Sequence, residues 1–218
     1  MKKIILSTLS VALLSLGMVS CGKSTKGKMI NDWNVKVYDY SSTYTDDGGD
    51  VSTSKYTMTD NALSGSSSYT PSGGSTMTST YTGTVSENSL SIKKDGTFEM
   101  KQNYSQVNSG TTYTTVSSKT GTWSFVGKTK GDDFKKNERV IFNVLTDNES
   151  NTTTSGSVST TSTNADTYES GEYTMVFTVV ESKGKELKLE QVGNSSSKQN
   201  NDSPSTTVSK VTMELVQK

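Results

Sequence analysis

From Trp33 to the C-terminus, apolar side chains recur at every second position and almost nowhere at the three-and-four spacing of a helix. Trp33, Val35 and Val37 alternate with Asn34, Lys36 and Tyr38, a period that gives a strand one apolar and one mixed face. The same period predicts strands over residues 55–60, 76–85, 89–92, 97–104, 112–118, 121–126, 139–145, 172–181, 186–192 and 210–216. Two hairpins are the clearest. In residues 90–100 the strands flank Asp95-Gly96, which supplies the positive-φ residue of a tight turn. In residues 173–192 they flank Ser182-Lys183-Gly184-Lys185, with Met175, Phe177 and Val179 facing Leu187 and Leu189. The only two prolines, Pro71 and Pro204, fall between strands, so no central strand is contradicted.

Sequential hairpins favour an antiparallel meander, and a sheet of about eight strands removes its unpaired edges by closing on itself. The expected fold is therefore all-β: a meander closing into an up-and-down barrel of about eight strands, with a β-sandwich as second choice. Apolar residues make up only 29% of the chain, and the N-terminal run takes a disproportionate share of them. A core can therefore occupy only part of the chain. Residues 41–54, 64–75, 148–166 and 194–207 are dominated by Ser, Thr, Gly and Asn and are expected to be long polar loops.

The N-terminus has its own grammar. Lys2 and Lys3 precede an apolar run over residues 4–19, interrupted by small residues and shorter than the roughly 20 residues that cross a bilayer. Met18-Val19-Ser20-Cys21 resembles the lipobox of bacterial lipoproteins, with Met18 standing where Leu is usual. Cys21 is the only cysteine, so it has no disulfide partner within the chain, and a lipid thioether accounts for its presence. Two or three acyl chains, at about 0.8 kcal/mol per buried methylene, would hold a folded domain on a membrane with no help from the domain itself. The expected organisation is a signal peptide over residues 1–20, the lipidated Cys21 with a flexible tether over residues 21–29, and a β-domain over residues 30–218. Gly22 follows the cysteine where an Asp would mark inner-membrane retention in enteric bacteria. By that analogy the expected location is the cell envelope, anchored in the outer membrane and facing the periplasm.

Charge and missing residue types exclude several functions. Lys and Arg total 22, as do Asp and Glu; losing Lys2 and Lys3 leaves 22 − 2 = 20 basic residues, interspersed and with a single arginine, Arg139. Nothing steers such a chain to nucleic acid. With no histidine, Ser-His-Asp and Cys-His nucleophiles and histidine metal sites are excluded, and no catalytic residue, metal site or cofactor is expected. Asp46-Asp47-Gly48-Gly49-Asp50 offers oxygen ligands but lacks EF-hand spacing, and a solvated turn is the simpler reading; Gly131-Asp132-Asp133 is weaker still. Trp123, Phe125, Tyr38, Tyr40 and Tyr104 are candidate ligand platforms, although strand-spaced tryptophans such as Trp33 and Trp123 belong more naturally to a core. Strict alternation puts Tyr38 and Tyr40 on the face opposite Trp33. Tyr44 and Tyr69 are the aromatic anchors within the polar stretches.

The Trp33-Asn34-Val35 strand, the hairpin of residues 90–98 carrying Asp95-Gly96-Thr97-Phe98, Gly121-Thr122-Trp123-Ser124-Phe125 and the closing Val211-Thr212-Met213-Glu214-Leu215 resemble the lipocalin-like lipoproteins of Bacteroidetes-type bacteria. That resemblance spans the mature domain and implies a lipocalin-like barrel with a signal peptide and lipobox; the family has no shared catalytic residues. The expected function is a membrane-anchored, non-enzymatic lipoprotein whose partners are the membrane and a small apolar or amphipathic ligand, at binding residues the sequence leaves unassigned. The alternative is a structural or adhesive envelope lipoprotein contacting protein or glycan through Ser/Thr-rich loops.

Overall fold

A computed structural model describes residues 24–128, 137–197 and 204–218. Cys21, the signal sequence and Gly131-Asp132-Asp133 lie outside the described residues. One short helix, α1 (Thr25–Met29), falls in the segment expected to be a tether. It precedes eleven strands: β1 (Asn31–Thr45), β2 (Val51–Thr59), β3 (Ala62–Thr70), β4 (Met77–Ile92), β5 (Thr97–Asn108), β6 (Thr111–Val126), β7 (Glu138–Ser155), β8 (Val158–Thr167), β9 (Tyr173–Lys183), β10 (Glu186–Ser197) and β11 (Ser205–Gln217). The β4–β5 turn falls at Asp95-Gly96, where Gly96 takes φ 89°, and the β9–β10 turn at Gly184.

The strands form a closed antiparallel barrel. Ten close the ring in the order β1-β2-β3-β4-β5-β6-β7-β9-β10-β11, and β8 is an extra strand on the outer half of β7. The expectation of about eight strands is corrected by the polar stretches. Many residues expected as loops are instead the outer parts of β1, β7, β10 and β11, the first four residues of β2, and most of β3 and β8. Thr and Ser suit extended backbone, and their hydroxyls bond across the strands, as between Thr53 and Ser68 (2.5 Å), Thr152 and Thr161 (2.9 Å), and Thr154 and Ser159 (3.0 Å). Their outer parts carry little apolar alternation because they extend the wall beyond the main core. Hence the low apolar content.

The two ends of the barrel differ in construction. At the Trp33 end, residues 31–34 of β1 pair directly with residues 89–92 of β4, bypassing the β2–β3 hairpin. Farther along, β1 turns to pair with β2, and β3 with β4, so the hairpin is wedged into the wall. On the other side β7 pairs with β9 through residues 138–144 and then with β8 through residues 146–155. The β9–β10 ladder ends at Thr178 and Glu190, beyond which β10 pairs only with β11. The wall is continuous at one end and split by a seam at the other.

Apolar side chains fill the continuous end. Trp33, Phe98, Phe142, Leu90, Leu189 and Met213 are among its fully buried members. The Phe142 ring lies 4.8 Å from Phe98 and 5.9 Å from Phe177, centroid to centroid. Burying each such side chain contributes about 1.5–3 kcal/mol. Helix α1 seals this end: Ser24 caps it by accepting from the Gly27 amide (3.2 Å), Met29 is fully buried, and the Met29 carbonyl accepts the Trp33 indole N–H at 2.9 Å. Trp123 completes the seal, donating its indole N–H to the Lys93 carbonyl at 2.8 Å.

Register shifts decide which residues continue inward from this core. One lies between Val35 and Val37 in β1, another between Val85 and Glu87 in β4, and a third in the β6–β7 pairing at Thr120 and Gly121. An extra residue inverts the alternation beyond it. Tyr38 and Tyr40 therefore share the inward face with Trp33 and Val35 and pack against the same core. This corrects their expected placement on the opposite face.

Candidate functional site: the open mouth of the barrel

Above the apolar core the interior becomes phenolic. Tyr40 and Tyr56 are direct cross-strand partners with ring centroids 4.9 Å apart, and Tyr38 stacks on Tyr56 at 5.9 Å. Burial pushes the Tyr38 phenol up to about 12 and drives Tyr56 upward as well, reinforced by neighbouring phenols. Both hydroxyls therefore stay protonated well past the ordinary tyrosine range. A second apolar cluster, Met58, Leu63 and Val85, sits beside them under Tyr81 and Tyr104. A cleft of about 210 Å³ opens between Tyr56, Met58, Leu63, Tyr81, Tyr104 and Tyr113. Gly65 makes room there, since a Cβ on it would come within 2.3 Å of the Tyr81 ring.

Nearer the rim, the inner wall of β1 to β4 forms an open groove of about 600 Å³. Tyr40, Tyr44, Tyr69 and Met77 alternate in it with serines such as Ser42 and Ser67. Tyr44, Tyr69 and Met77 are exposed by 43, 40 and 60%. Their exposure follows from hairpin construction rather than from loop freedom. The acidic turn at Asp46 to Asp50 joins β1 to β2, with Asp46 Oδ1 accepting the Asp50 amide at 2.8 Å. Asp50 in turn accepts the Ser72 amide (2.7 Å) and the Tyr69 hydroxyl, tying this hairpin tip to the next. The Tyr69 and Ser72 hydrogen bonds hold the Asp50 carboxyl below its usual range. Among the described residues no group of three or more acidic or thiol side chains is placed to hold a metal ion.

The facing wall, β5 to β8, carries acids and amides beyond Tyr104 and Tyr113. Lys119 lies opposite the inward-facing Met100 on one side and Asp147 on the other, and the two form an ion pair with side chains only 22% and 18% exposed. The Lys119 ammonium also stands 5.7 Å from the centre of the Tyr173 ring. Asn151 accepts from Thr115 (2.8 Å), and Asp166, cross-strand from Asp147, accepts from Asn164 (2.7 Å). The mouth thus sets a tyrosine-and-serine wall against one in which acids and amides join Tyr104 and Tyr113. Such a surface can stack on a flat apolar face and hydrogen-bond a polar rim at once.

The aromatic candidates divide. Trp123 is 8% exposed and belongs to the core, with Phe125 packed beside it, whereas Tyr40, Tyr44, Tyr69 and Tyr104 reach the mouth or its cleft. The sequence reading singled out neither Lys119, Asp147, Tyr56, Tyr81 nor Tyr173. A signal for Lys119 exists: it shares the period-2 series with Gly121 and Trp123, so a lysine stands on the core face of its strand. Comparison of the chain with protein-family models, curated proteins and solved structures finds no match.

Proposed function

We propose that the chain is a non-enzymatic lipoprotein of the bacterial cell envelope, lipocalin-like in its use of the barrel mouth for binding. It is anchored through Cys21 in the outer membrane facing the periplasm, and it takes up a small amphipathic ligand. The observation that supports this most is the unequal filling of the barrel. Its sealed end is filled by packed apolar side chains. The open groove offers phenol rings beside hydroxyls, which suits a ligand with one apolar face and one polar edge.

The test is a titration of the detergent-solubilised full chain with defined amphiphiles, an alkyl glucoside series and a steroid carboxylate, read by tyrosine fluorescence. Saturable binding weakened tenfold or more by Tyr44→Ala with Tyr69→Ala supports the reading; binding that both substitutions leave unchanged sinks it. For the anchor, metabolic labelling with a tagged fatty acid is expected in the native chain and not in Cys21→Ser. An adhesive role through the Ser/Thr-rich segments is the second reading, favoured by the hairpin of β7 and β8, which carries hydroxyl and amide side chains outward with almost no burial.

A further inference from the structure

Strand β8 is paired on one side only. Its ten residues pair with residues 146–155 of β7 without a register shift, and among the described residues its other edge meets no strand. Which backbone groups face that open edge follows from one hydrogen bond. The Tyr168 amide donates to the Leu145 carbonyl at 2.9 Å in the same register, so even-numbered residues of β8 bond to β7. Ser159, Thr161, Thr163, Ala165 and Thr167 therefore direct their N–H and C=O groups outward. Proteins usually blunt such an edge with lysine, proline or a bulge. Here β8 contains no Lys, Arg or Pro.

We propose that this edge is an interface between two copies of the chain, β8 pairing antiparallel with β8 of the second copy about a two-fold axis at Thr163. Only odd-numbered residues can exchange bonds across the edge, which limits the registers. With the axis at Thr163, Thr161 bonds to Ala165 and Ser159 to Thr167. In the same register Asp166, the only charged residue of β8, faces the Thr160 hydroxyl and no other acid. Val158, 66% exposed in the single chain, meets Tyr168, the ring that closes the end of the strand. Moving the axis to Ser162 would instead set Val158 against Asp166, an apolar side chain against a carboxylate. A second open edge among the described residues, residues 191–197 of β10, is shorter and carries Gly193, which weakens strand pairing. A β8-to-β10 contact would also be head-to-tail and would generate chains of molecules rather than a closed pair.

The experiment uses the full chain in detergent. Light scattering is expected to give a dimer at micromolar concentration, and Thr163→Cys is expected to form a disulfide-linked dimer on oxidation. Neither the native chain, which controls for Cys21, nor Thr114→Cys on β6 should do so. Ala165→Pro removes an outward N–H and no bond to β7, so it should raise the dimer dissociation constant at least tenfold with an unchanged melting temperature. Thr163→Lys, which places two like charges on the axis, gives the same readout should the proline disturb the strand. A native chain that stays monomeric up to its solubility limit overturns the proposal. So does a Thr163→Cys chain that cross-links no more than the controls, or one that links preferentially to Ser195→Cys on β10.

Discussion

The two halves of this barrel are built from the same period and different chemistry. In the sealed half every second residue is apolar, and Trp33, Phe98, Phe142 and Leu189 leave no accessible surface of consequence. In the open half the inward positions are mostly Tyr, Ser, Thr, Lys and Asp, with Met58, Leu63 and Met77 among them, and the wall is held by backbone ladders and hydroxyl pairs. The first half supplies stability, because burial of apolar area is the dominant favourable contribution. The second half extends a surface that the first half holds in place. A barrel of this kind can vary its mouth without endangering its fold, since few of the mouth residues are buried.

The largest effect should come from the sealed half. Phe142→Ala removes a fully buried ring in contact with Phe98 and Phe177, and a loss of about 3–5 kcal/mol in chemical denaturation is expected. A loss under about 1 kcal/mol would break the distinction between the halves.

The boundary between the halves should respond to alkali. Tyr38 gives up its proton at about 12 in the folded chain, against 10.0 for an ordinary tyrosine, because burial disfavours the phenolate; Tyr56 is shifted the same way. Their contribution to stability is complete below pH 10 and is lost as pH rises from 10 toward 12. The slope is on the order of 1 kcal/mol per pH unit for each phenol. Denaturation midpoints measured across that window should fall, and Tyr38→Phe should flatten the decline. An equal decline in that variant would place the titrating groups elsewhere.

Asp147→Ala removes the carboxylate paired with the Lys119 ammonium and leaves the Tyr173 ring beside it. Both members of the pair keep some contact with water, so the expected loss is about 1–2 kcal/mol, below the cost of breaking a fully buried pair. Double-mutant cycles with Lys119→Met would isolate the coupling. The smallest effect belongs to the rim: Tyr44→Ala should change stability by less than about 0.5 kcal/mol while altering ligand binding. A rim substitution as costly as Phe142→Ala would show that the mouth is part of the core.

Much of the sealed half was legible in the sequence. Alternation placed Trp33, Val35, Leu90, Phe98, Met175, Phe177, Leu187 and Leu189 in strands, and Asp95-Gly96 and Gly184 marked the turns because a tight hairpin needs positive φ there. The open half was legible only in part: strands over residues 55–60, 76–85 and 112–118 were expected and are found in β2, β4 and β6, but β3 and β8 were expected as loops. Alternation reveals a strand only when one face is apolar, and β3 and β8 expose polar side chains on both faces. Their pairing depends on neighbours distant in sequence, such as Ser67 beside Ser79, which no local pattern announces. Nor does composition reveal a register shift. The irregularity after Val35 turned Tyr38 and Tyr40 inward, and with them the character of the mouth.

By itself, then, the amino-acid order determined that the chain is all-β, where its apolar strands lie, where its tightest hairpins turn, and that histidine-dependent chemistry is absent. Those properties are local: they follow from side-chain period, from the backbone freedom of glycine and from residue types present or missing. Ring closure with ten strands, the seam beside β8, the facing of Lys119 and Asp147 across β6 and β7, and the stacked phenols at the mouth were decided only by tertiary structure. Each depends on long-range register, and register is set by the summed fit of many cross-strand pairs rather than by any one segment.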